Sequence, residues 1–101
     1  MENVYILVKF VLNEGIKIEE WKKLSDRINS DLKGVDGFNF RDSAIDENGN
    51  VYCIVKWDSI EQQKSFRKEL DKKFEENPEM KKIMWRIVKM ESIEMNILKL
   101  I

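Results

Sequence analysis

Histidine is absent from this 101-residue chain, and cysteine and proline occur once each, as Cys53 and Pro78. Without histidine the chain has no Ser-His-Asp or Cys-His nucleophile pair, no HExxH or His-carboxylate metal site, and no proximal histidine for haem. A lone cysteine makes neither an intrachain disulfide nor a cysteine-rich zinc site. No metal and no cofactor is therefore expected. No leader of charged, apolar and small residues opens the chain, so the cytoplasm is the expected compartment.

An excess of one charge is also lacking. Eighteen Lys and Arg face nineteen Asp and Glu, 18 − 19 = −1. The lysines are interleaved with acids along the helical stretches, which argues against nucleic acid as a partner. The most apolar stretches, Val4 to Leu12 and Ile97 to Ile101, fall well short of the ~20 residues of a membrane span, and no membrane association is expected. What remains is a single domain over residues 1–101, with enough apolar residues (43%) for a core. At this size it would gain from a partner.

Val4 to Leu12 is β-branched and aromatic with apolar residues on both alternating faces, the pattern of a strand covered on both sides. From Ile18 to Lys33, Trp21, Leu24, Ile28 and Leu32 form one helical stripe, and Gly34 supplies a stop. Val35 to Ile45 and Val51 to Trp57 read as a β-hairpin across Asp46-Glu47-Asn48-Gly49-Asn50. Ser59 and Gln62 have the spacing of a capping box for a helix from Ile60 to about Glu75, with Phe66, Leu70 and Phe74 stacked along it. Asn77-Pro78 stops that helix and starts a short one carrying Met80, Ile83, Met84 and Ile87. A last strand is expected over Val88 to Leu100, with a phase change near Glu91-Ser92 from a bulge or a new neighbour.

The order is β-α-β-β-α-β. It gives an α+β, ferredoxin-like domain with a four-stranded antiparallel sheet and helices on one face. The strands are apolar on both faces, so a second copy of the same sheet is the simplest cover for the other side.

The run Val35-Asp36-Gly37-Phe38-Asn39-Phe40-Arg41, the hairpin, and Val55-Lys56-Trp57-Asp58-Ser59-Ile60-Glu61 opening a helix resemble the antibiotic biosynthesis monooxygenase family of dimeric α/β-barrel proteins. The resemblance implies a homodimer with two sheets packed face to face and a pocket in each subunit between sheet and helices. It implies either cofactor-independent oxygenation of aromatic or quinone-like substrates, or a metabolite-binding, regulatory or structural dimer without activity. Haem-degrading relatives carry a histidine about ten residues after the motif tryptophan. Here that place is held by Arg67, so haem ligation of that type is not expected.

By the same resemblance, Trp57, Asn39 and Arg67 are the catalytic candidates, with Arg41 as a further cation. Trp57 closes the base of a pocket or is a plain core residue. Gln63 and Arg67 interrupt or border the apolar arc of their helix, where polar groups need protein partners or a ligand. Gln63, Arg41, Tyr5 and Phe66 are the substrate-binding candidates. By simple alternation Asn39 and Arg41 share one strand face, and Phe38, Phe40 and Asp42 the other. The hairpin loop decides whether Trp57 pairs with Phe38 or with Asn39. Cys53 reads as an inert buried thiol, and Trp85, opposite its helix's apolar stripe, as a contact for solvent or a partner.

Overall fold

A computed structural model describes residues 3–101. The elements are β1 (Val4–Val11), α1 (Ile18–Leu32), β2 (Phe38–Ile45), β3 (Asn50–Trp57), α2 (Ile60–Glu76), α3 (Pro78–Ile87), a 3-10 turn at Met90–Ser92, and β4 (Glu94–Lys99). The sheet is antiparallel in the order β2-β3-β1-β4, which is the ferredoxin-like arrangement.

Both expected faces of β1 are present. Val4, Ile6 and Phe10 are buried, and they point with Val51, Cys53 and Trp57 of β3 toward the α1 stripe of Trp21, Leu24 and Leu32. Rings interlock within that layer: Phe10 meets Trp21 edge-on at 4.9 Å, and Trp57 contacts Phe38 at 5.7 Å and Phe66 at 5.5 Å. The opposite face carries Tyr5, Leu7, Phe40, Ile54 and Leu98, and Tyr5 and Phe40 pair edge-on at 6.1 Å.

The hairpin combines the two registers that the sequence left open. Ile45 pairs with Val51 and each step down to Phe40 and Lys56 keeps that register, which extrapolates to Asn39 opposite Trp57. A bulge between Phe38 and Phe40 then brings Phe38 opposite Trp57 instead. Simple alternation is thereby overturned: Phe38, Arg41 and Ser43 face the helices, and Phe40 and Asp42 face away. The turn itself is tied by Asp46, whose Oδ1 accepts from the N–H groups of Asn48 and Asn50, both at 2.9 Å. Gly49 supplies the positive φ of 85° that closes it.

The C-terminal segment also departs from expectation. In place of one strand from Val88, a bridge joins Val88 to Leu12, the 3-10 turn follows, and pairing with β1 begins at Glu94 opposite Lys9. The Ser92 hydroxyl causes the break. It donates to the Lys89 carbonyl at 2.6 Å and accepts from the Val11 N–H at 2.9 Å, replacing a ladder bond with a side-chain bond. Ser59 caps α2 as expected, accepting from Gln62 N–H at 3.3 Å and donating to Gln62 Oε1 at 3.0 Å. Asn77 makes no side-chain cap at α3. Asn13 serves the other end of α3, its amide donating toward the carbonyls of Trp85 and Arg86 at 2.9 Å.

Glu20 on α1 and Arg86 on α3 form the ion pair between these helices, at 2.8 Å. The Arg86 hydrogen bond, aided by the Lys17 N–H, holds the Glu20 carboxyl below its ordinary value of 4.5. A depressed carboxyl contributes stability that is complete above the unfolded value and is lost as pH falls through the folded one. Glu20→Gln should therefore lower the urea midpoint at neutral pH, and the gap to the unaltered protein should close as pH is taken down through 4.5. Midpoints followed by circular dichroism across that range test this; a gap independent of pH would refute it.

Candidate functional site

The cleft with the most developed chemistry lies between α1 and the hairpin. It has a volume of about 420 Å³ and is lined by Ile18, Trp21, Ser25 and Asn29 from the helix and by Arg41, Ser43 and Ile45 from β2, among others. The size suits a small organic ligand. The α1 stripe places Trp21, Ser25 and Asn29 on consecutive turns above the sheet. The regular register counted from the turn presents Arg41 and Ser43 to them from below, opposite Val55 and Cys53.

Arg41 is the hub. Its Nη1 donates to Ser25 Oγ at 2.7 Å and to Asn29 Oδ1 at 2.9 Å, and its Nη2 approaches Cys53 Sγ at 3.5 Å. The guanidinium lies 5.9 Å from the centre of the Trp21 ring. Trp21 in turn donates its indole N–H to Ser43 Oγ at 3.1 Å, and Ser43 Oγ lies 3.6 Å from Cys53 Sγ. Each of these partners is neutral, and no carboxylate among the described residues pairs with Arg41. Cys53 is buried, with no imidazole beside it.

The catalytic candidates Trp57, Asn39 and Arg67 do not line this cleft. Trp57 is 2% exposed and packed in the core between Val4, Ile6 and Leu32, with Phe38 and Phe66 against its ring. Asn39 sits in the bulge, donating to the Gly37 carbonyl at 3.1 Å and to Asp58 Oδ1 at 2.9 Å. This links the start of β2 to the end of β3. Arg67 is exposed on α2, pairs with Asp71 at 3.3 Å, and lines a separate groove of about 370 Å³ with Phe74, Met84, Trp85 and Met90.

The substrate-binding candidates also separate. Arg41 lines the cleft. Phe66 lies against Trp57 in the core layer, and Tyr5 is on the opposite face of the sheet against Phe40. Gln63 is half-buried on α2. Gln62, its neighbour, bonds to Asp36 Oδ2 at 3.1 Å and lies where a Cβ on Gly37 would collide with it. Trp21, Ser25, Asn29 and Ser43 were not among the sequence candidates. Trp21 and Ser25 fall within a helix stripe that reads as core, and the face that Ser43 takes depends on the hairpin register, which alternation alone leaves open.

Among the described residues no His/Cys/Asp/Glu group could hold a metal ion, and no helix is long and apolar enough to cross a membrane. No family model and no curated protein matches the chain. Solved structures do. A dimeric ferredoxin-like protein from an uncultured marine organism superposes with a TM-score of 0.74 at 16% identity, over 100% of this chain and 90% of its own. SnoaB, a cofactor-independent oxygenase from Streptomyces nogalater, gives 0.69 at 13% identity, over 97% and 92%. A proposed antibiotic biosynthesis monooxygenase from Chloroflexus aurantiacus gives 0.61 at 11%, over 98% and 93%. At these identities the likeness is one of fold, and the chain shares the ferredoxin-like fold of all three.

The contrast between Trp57 and Arg67 yields a stability test. Trp57→Ala should cost about 3–5 kcal/mol, the usual penalty for truncating a fully buried aromatic ring. Arg67→Ala removes an exposed helical ion pair and should change stability by less than about 0.5 kcal/mol. Urea unfolding of both variants decides whether the two positions differ as their burial requires.

Proposed function

We propose that the protein is a small-molecule-binding homodimer whose two sheets pack face to face. The observation that carries this is the uncovered sheet face. Tyr5, Leu7, Phe40, Ile54 and Leu98 lie together where no helix of the same chain reaches, and Phe40 and Ile54 remain 39% exposed. Lys56, Asp42 and Asn96 stand among them on the same face, and apolar side chains interspersed with a few polar ones are the usual make-up of an interface. The same face on a second copy is self-complementary about a twofold axis. The dimeric nature of the marine ferredoxin-like protein, which shares the fold over 90% of its length, supports the reading.

For chemistry we propose cofactor-independent oxygenation of an aromatic or quinone-like substrate, supported by the fold shared with SnoaB. In such a reaction the substrate gives up a proton, and its anion then passes one electron to dioxygen, leaving a substrate radical beside superoxide. The protein's part is to orient the substrate, exclude water and stabilise the anion. In this chain the cleft between α1 and β2 offers the Trp21 ring as a wall and Arg41 as a cation. Asp26 of α1 also lines it and is the carboxylate offered there as proton acceptor. Trp57 and Asn39 act as positioning residues for the start of β2, because Asn39 ties it to Asp58 and Trp57 packs against Phe38. A cytoplasmic location fits this reading.

One observation favours a second reading, a dimer that binds a metabolite without turning it over: Trp57, Asn39 and Arg67 are not gathered at one cavity. Oxygen uptake separates the two. Consumption of dioxygen with a panel of hydroxyanthrones and hydroquinones, above the rate without protein, is expected for the oxygenase; binding without uptake would establish the non-catalytic dimer.

The dimer has its own test. Ile54→Lys puts an ammonium in the middle of the proposed interface and should halve the mass measured by light scattering, with the circular dichroism spectrum unchanged. A mass that stays dimeric would move the interface elsewhere.

A further inference from the structure

Arg41 has a property that its structural duties do not explain. It is half-buried, it is held only by neutral acceptors, and its Nε–H finds no acceptor among the described residues. Tethering α1 to β2 needs hydrogen bonds to Ser25 and Asn29 but no net charge. A partly desolvated cation is costly unless an anion meets it. The other ion pairs are exposed and each cation in them has its acid, including Arg86 with Glu20 and Arg67 with Asp71.

We propose that the α1–β2 cleft is a binding site for the monocarboxylate of a flat, largely apolar small molecule, with Arg41 receiving the carboxylate. This rests on the small-molecule reading above and names the ligand class. The guanidinium offers planar donors suited to a carboxylate, and the ligand's ring has Trp21, Ile18 and Ile45 as walls. Ser25 and Asn29 hold Nη1 in place, so the cation is positioned before the ligand arrives. The charge of the ligand is bounded by the rest of the lining. Lys22 adds one positive charge to Arg41 and Asp26 adds one negative, while Asp42, opposite Ile54, turns its side chain to the other face of the sheet. The cleft therefore carries one net positive charge, with the half-buried Arg41 inside. It welcomes a single negative charge and repels a second one placed at the acidic lining.

The test uses the full chain, with the Trp21 indole N–H and the Arg41 Nε–H followed by heteronuclear NMR. The probes are 2-naphthoate, its neutral isostere 2-naphthamide, and 2,6-naphthalenedicarboxylate. The expected result is saturable shifts of both reporters with 2-naphthoate and affinities at least about tenfold weaker for the amide and the dianion. Arg41→Gln should lose the preference for naphthoate over naphthamide, and Arg41→Lys should keep part of it. These two variants distinguish loss of charge from loss of fold, because Arg41→Lys retains the cation. Equal binding of acid and amide, or full affinity in Arg41→Gln, would overturn the assignment. So would shifts confined to the Trp85 groove. The small-molecule reading fails separately, if none of the naphthalenes and none of the hydroxyanthrones and hydroquinones binds at all.

Discussion

One extra residue, Asn39, lets Phe38 and Arg41 face the same side of the sheet. Without the bulge, β2 would continue in register and Phe38 would fall on the same face as Phe40, away from the helices. With it, Phe38 lies against Trp57 in the core, while Arg41 and Ser43 keep their places beneath α1. The bulge is held by bonds that converge from both sides: Asn39 to Asp58, Asp58 N–H to the Gly37 carbonyl at 2.8 Å, and Gln62 to Asp36. Gly37, at φ 83°, leaves the space that Gln62 occupies. A packing requirement at one end of the strand and a polar cleft at its middle are thus met by a single local irregularity.

The second organising constraint is that helices cover one side of a sheet whose strands are apolar on both. Trp21, Leu24 and Leu32 of α1 are buried beneath the helical layer, but α2 buries none of its residues and lies looser, with Phe66 as its link to Trp57. Strand β4 is exposed along its whole length, and Met95 and Ile97, which align with Val8 and Ile6, are about half exposed although they sit on the helical side. The chain by itself thus leaves apolar surface on the outer face and along the β4 edge. Cover for both surfaces is what the proposed dimer would supply.

The element order and the core were legible in the sequence because they rest on periodicity. The α1 stripe, the alternation of β1, the Ser59 cap and the Gly34 stop each carry a local signature, and each is found in place. The candidate site was legible only in part. Arg41 was named, but its neighbours Trp21 and Ser25 look like core from spacing alone, and the face it takes depends on the hairpin register, a tertiary choice. Trp57 carries the most family-like signal in the chain and lies in the core rather than in a cleft. Burial there follows from what stands opposite, Val4 and Phe38, and neither is evident from the run around Trp57. The break at Ser92 has the same origin, because a serine hydroxyl competes with a ladder bond only when Val11 is across from it.

The strand order has a consequence for how the chain acquires its shape. β1 sits between β3 and β4, and its pairing with β4 joins Val4 to Lys99, 99 − 4 = 95 residues away. During synthesis β1, α1 and the hairpin can assemble early, yet one edge of β1 stays unpaired until the last strand has left the ribosome. Contacts so distant in sequence are slow to form. The nascent intermediate therefore carries an open β-edge beside an apolar sheet face, the combination most prone to pair with the wrong neighbour. For this fold, the interval between making β3 and making β4 is when a chaperone, or a slower rate of translation, would matter most.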